Sequence, residues 1–106
     1  MEMQEIIADV RSHYDEGIKP LLEGRNYNMA GFELGNLVGA TIKPNALNFA
    51  TYPSGKNFVG SAILLEKELK KQNPDPESKI SLFEGFLSQA ELSIKSKRIG
   101  GRLPGN

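Results

Sequence analysis

Apolar residues recur in steps of three and four along most of this chain, the spacing of one face of a helix. In the stretch 2–23 they fall at Met3, Ile7, Val10, Tyr14, Ile18 and Leu21, with Ile6 and Leu22 widening the stripe. This predicts an amphipathic helix. Gly17 and Pro20 weaken its second half. Pro20 has no N–H to offer the carbonyl of Glu16, so a kink or break is predicted near 17–20. Gly24 then supplies a C-terminal stop, ahead of the polar turn Arg25-Asn26.

A second helix is predicted from about Asn28, as N-cap, to Ile42, with Phe32, Leu34, Leu37, Val38 and Thr41 at helical spacing. Gly31, Gly35 and Gly39 recur at every fourth position. Each costs about 1 kcal/mol against Ala in a helix interior, so this helix must gain from packing. Glycines four apart form a smooth ridge that lets another backbone approach closely. The ridge predicts a tight crossing within the molecule, one that a large side chain at Gly35 would overpack. Strand or loop remains the alternative for 28–56. Lys43-Pro44-Asn45 interrupts the chain, Ala46–Tyr52 reads as a helical turn or two with Asn45 as a cap, and Pro53-Ser54-Gly55 as a turn.

Asn57 can cap a helix over 58–72 whose inner face is Phe58, Ala62, Leu65 and Leu69, with Glu66 and Lys70 paired outside. After Asn73-Pro74, Asp75 suits an N-cap and Pro76 the first position of a last helix, 76–99. Ile80, Phe83, Leu87, Ala90 and Ile94 line it, and Gly100-Gly101 ends it. The pattern predicts an all-α fold: a compact bundle of four to five helices, a single helical domain over 1–106 with a mobile tail at 100–106.

Composition narrows the class. A chain of 106 residues, 39% apolar and 25% charged, fits one globular domain. It has no Cys, which excludes disulfides and thiolate metal sites. Thirteen acids balance thirteen bases, where a nucleic-acid binder shows a strongly basic face. The charge is uneven: residues 1–33 hold seven acids and three bases, while 92–106 hold four bases, Lys95, Lys97, Arg98 and Arg102, and no acid. These four are expected to complement the end of the last helix rather than to grip phosphates. Met1 is followed by Glu2, Gln4 and Glu5 where a secretion signal needs a basic start and an apolar run, and no stretch approaches a membrane span. A cytoplasmic location is expected.

Candidate chemistry is sparse. Asp9, His13 and Glu16 lie on one helical face and offer an imidazole and two carboxylates, donors that a transition metal accepts. With no distant fourth ligand, the expected state is a solvated face and no metal. Ser54 and Lys56 are a candidate Ser–Lys nucleophile–base pair. The run Ala50-Thr51-Tyr52-Pro53-Ser54-Gly55-Lys56-Asn57 departs from a phosphate loop at two defining positions, with Ala50 in place of the first Gly and Asn57 in place of Ser or Thr. No cofactor and no enzymatic activity are expected.

The first helix is the more informative surface. Glu2, Glu5, Asp9 and Glu16 can share an outward face opposite the apolar stripe, with Asp15 near its edge. Such a face complements a basic partner, and Glu5, Asp9, Asp15 and Glu16 are the predicted partner-binding residues. In size, helical make-up and acidic face the chain resembles the small bacterial immunity proteins that neutralise an incoming toxin. The resemblance covers the whole chain, and no residue is carried over by motif. It implies one-to-one binding that blocks a toxin domain, often a basic nuclease. Composition and charge, separately, lead to no expected membrane partner and do not favour a nucleic-acid one. Two other classes stand beside it: a helical subunit or scaffold acting by self-association through the Gly ridge and aromatic residues, and a small nucleotide-binding protein or enzyme using Lys56.

Overall fold

The computed structural model describes residues 2–100, with side chains placed through Ser96. The described residues are all-α, 83% helical, and form four rods around one core. The first rod begins as α1 (Met3–His13). The Glu5 carboxylate reaches back to accept the Glu2 N–H at 3.1 Å, the returning half of a capping box. The rod does not break at Pro20. It widens into a π-helical turn, Tyr14–Ile18, and continues as α2 (Lys19–Glu23). Lys19 donates its N–H to the Tyr14 carbonyl, five residues back. The wide turn absorbs the proline, which lacks a donor and crowds the carbonyl four residues before it. After Ile18, Leu22 is buried and Leu21 packs half-buried against the core.

The turn that follows corrects the expected stop at Gly24. The left-handed residue is Arg25, at φ 58°, while Gly24 sits at −82°. Asn26 N–H reaches Leu21 O at 2.8 Å and Arg25 N–H reaches Leu22 O at 3.1 Å, the paired bonds of a Schellman ending. Asn26, not Asn28, then caps α3 (Tyr27–Leu37) by accepting from Met29 N–H at 3.4 Å.

The region 28–56 is helical. After α3 comes a second π-helical turn, Val38–Ile42, again ahead of a proline, with Lys43 N–H donating to Val38 O. A short 3-10 turn, Lys43–Asn45, leads into α4 (Ala46–Phe49). Asn45 stands at the N-cap of α4 without a side-chain capping bond; its amide donates to the Thr41 carbonyl at 2.7 Å and so closes the end before it. The third rod, α5 (Gly55–Leu69), starts from Ser54, not Asn57. The fourth is α6 (Glu77–Gly100), which leaves Pro76, not Asp75, before its first turn. Of the tail expected at 100–106, only Gly100, the last residue of α6, belongs to the described residues.

Four buried aromatic rings link the rods. Tyr14 lies 4.9 Å from Phe83, Phe83 5.5 Å from Phe58, and Phe58 5.2 Å from Phe49, centroid to centroid. These spacings suit tilted and edge-to-face contacts. The glycine ridge is used at one position. A Cβ on Gly31 would meet Leu69 Cβ at 3.2 Å, so α3 and α5 cross there. Gly35 faces only the flexible ends of Glu66 and Lys70, and a Cβ on Gly39 meets nothing within 4 Å. The predicted crossing therefore exists one turn earlier than Gly35.

Polar contacts fix how the rods sit. Tyr14 is buried, and its hydroxyl donates to Glu84 at 2.6 Å; burial first, and then that carboxylate, push the phenol pKa up. Glu68 is 5% exposed, at the end of α5. It accepts the Asp75 N–H at 2.9 Å and pairs with Lys71 at 2.9 Å and Lys79 at 3.3 Å. The Asp75 N–H above all, helped by the two lysines, holds its carboxyl down to about 2. One carboxylate thus ties the 70–76 turn to both helices that it joins.

Candidate functional site

The outward side of α1 and its π-helical extension is built by a simple division. Ile6, Ile7, Val10, Tyr14 and Ile18 are in the core, which turns Glu5, Asp9, Asp15 and Glu16 to solvent. All four predicted residues are exposed, but they do not act as one set. Glu5 serves the helix start through its bond to Glu2 N–H. Asp15 pairs with Arg11 at 3.3 Å. Asp9 and Glu16 face the second rod, where with Ser12, His13, Gly17 and Thr41 they line a cleft of about 560 Å³.

Two residues reshape this face. Arg11 reaches across to α6, where Glu91 accepts from its Nη2 at 2.6 Å and its Nε at 3.1 Å, and Ser88 from Nη2 at 3.2 Å. The forked pair, strongest with Glu91, raises the guanidinium pKa further above its already high value. Arg11 therefore links Asp15 to Glu91 of α6. Beside it a groove of about 720 Å³ runs between α1 and α6, with Ile7 and Ala8 among its lining and Glu91 and Lys95 on the α6 side. The second residue is Glu33 of α3, whose carboxylate lies 3.6 Å from His13 Nε2. It adds a third acid next to Asp9 and Glu16.

The Arg11–Asp15 pair has the readable i, i+4 spacing, but Glu91 is 80 residues away and Glu33 sits on another rod. Nothing in the spacing of α1 reveals either contact. Among the described residues, no three or more His, Cys, Asp or Glu side chains are placed to hold a metal ion, so Asp9, His13 and Glu16 do not assemble as ligands.

The Ser54 hydroxyl donates to Gln89 at 2.9 Å, and Lys56 is exposed in the first turn of α5. In the run resembling a phosphate loop, Gly55 donates its N–H to Tyr52 O at 3.0 Å, which removes that amide from any phosphate cradle. Of the basic C-terminal residues, the side chains of Lys97, Arg98 and Arg102 lie outside those described. No helix among the described residues is long and apolar enough to cross a membrane. No family model, curated protein or solved structure matches the chain.

Proposed function

We propose that this chain is a non-enzymatic protein-binding module that docks a basic partner through the outer face of its first rod. The partner we infer is a toxin domain, held one-to-one as immunity proteins hold theirs. The observation that carries the reading is the exposure of Glu5, Asp9 and Glu16 along a helix whose Ile7, Val10, Tyr14 and Ile18 are in the core. Carboxylates carried on a preformed helix complement a basic surface without a backbone ordering cost on their own side. Glu33, on the neighbouring rod, extends the row. The test is capture of the partner from the native cell, followed by binding of the purified partner to wild type and to the reversal Glu5→Lys, Asp9→Lys, Glu16→Lys. Loss of binding with an unchanged helical spectrum supports the reading. Equal binding sinks it.

A second reading, self-association, draws on the second rod. Met29, Phe32 and Leu47 are exposed there, at 47%, 60% and 87%. Between Arg25 and Lys56 the sequence carries only Glu33 and Lys43 as charged residues, so two copies could meet along this rod with little like-charge repulsion. Sedimentation equilibrium would show a mass rising with concentration that Phe32→Glu abolishes. A single concentration-independent monomer mass rules this reading out.

A further inference from the structure

A basic cleft lies away from the acidic rod face, at the end where α3 begins and α5 stops. It measures about 450 Å³, within the range of small-molecule sites. Arg25, Lys70 and Lys71 line it with the amides of Asn28 and Gln72 and the half-buried Tyr27, and no carboxylate is in the lining. Lys70 pairs at 2.6 Å with Glu66, and Lys71 shares Glu68 with Lys79. One carboxylate between two lysines leaves that group with a positive charge in excess. Arg25 makes no ion pair among the described residues.

The position of Arg25 is itself informative. It occupies a left-handed turn conformation at φ 58°, which Gly adopts without strain. Gly24 is next to it and does not take that place. The backbone strain is thus borne by a residue that lines the cleft.

We propose that this cleft binds a phosphate monoester. A guanidinium offers parallel donors to two phosphate oxygens, and lysines add point charge. A monoester brings a charge of about −1.5 to −2 at neutral pH, which Arg25 and Lys71, whose Glu68 is shared with Lys79, answer. The amides of Asn28 and Gln72 and the ring of Tyr27 provide polar and planar contacts for the group that carries the phosphate. This site is independent of the acidic face, and either can stand without the other.

The experiment is a titration of isotopically labelled protein followed by amide chemical shifts. The probes are glycerol phosphate and adenosine monophosphate, with inorganic phosphate and acetate as separate arms. Expected are saturable shifts confined to residues 25–28 and 69–72 with at least one monoester. In Arg25→Gly that affinity falls about tenfold or more, while the melting midpoint stays level or rises. Lys70→Gln, which leaves the strained turn alone, weakens binding to a smaller extent. Scattered or non-saturating shifts, undiminished affinity in Arg25→Gly, or acetate binding as tightly as the monoesters each overturn the proposal. Tighter binding of inorganic phosphate than of either monoester overturns the assignment to an ester.

Discussion

Single glycines in this chain differ by what a methyl group would strike. At Gly55 an added Cβ would stand 1.8 Å from the Phe49 carbonyl oxygen. Backbone cannot yield as a side-chain tip does, so the α4–α5 turn would have to open. Gly55→Ala is expected to cost about 3 kcal/mol or more, seen as a melting midpoint lower by roughly 12 °C or more. A loss of under 1 kcal/mol would mean that the turn is not built this way. The ridge glycines give a graded series. Gly31→Leu drives a side chain into Leu69 and should cost about 1–3 kcal/mol. Gly39→Leu enters open space and should be neutral, or stabilising by up to about 1 kcal/mol through helix propensity. Urea midpoints measured in parallel check the contrast, and equal losses at both positions would contradict the crossing at Gly31. The periodicity of the three glycines was legible in the sequence. Which of them meets a backbone was not, because it depends on how α5 crosses α3.

At the scale of elements, the apolar spacing marked all four rods, since steps of three and four survive local changes of winding. The winding itself was hidden. A π-helical turn places Tyr14 and Ile18 on one side as an α turn would, so the sequence around Pro20 reads as a kink while the rod runs on. Helix starts slipped for a related reason. Asn26 and Asn28 both suit a cap, and the choice falls to Asn26 because Arg25 takes the left-handed turn just before it. Ser54 stands before α5 for a tertiary reason: Gly55 must pass against Phe49. The turn between α5 and α6 yields a pH prediction. Glu68 is held down to about 2 from an ordinary 4.5. A depressed carboxyl stabilises the fold above its unfolded value, and that contribution is lost as the pH falls from about 4.5 through about 2. Glu68→Gln should therefore melt below wild type at neutral pH, and the gap should narrow across that window. A gap that stays constant down to pH 2 would show that the charge of Glu68 does not hold the turn.

For the whole molecule, the division of charge matters more than the neutral total. Glu5, Asp9, Asp15 and Glu16 were legible as a surface because helical spacing fixes which residues oppose the core. Their separate employments were not, because Arg11 is drawn to Glu91 on the last rod. Asp9 and Glu16, with Glu33, form the part of the face not tied to α6. Rim carboxylates act mainly on association, where long-range attraction raises the encounter rate and salt screens it. The decisive measurement is the association rate of the captured partner with wild type and with the Glu5→Lys, Asp9→Lys, Glu16→Lys reversal, at low and at high salt. The account predicts at least a tenfold slower association for the reversal at about 10 mM salt. That difference should largely close near 1 M, where the screening length is about 3 Å. Equal rates at low salt, with both proteins folded, would contradict it and move the interface away from the first rod.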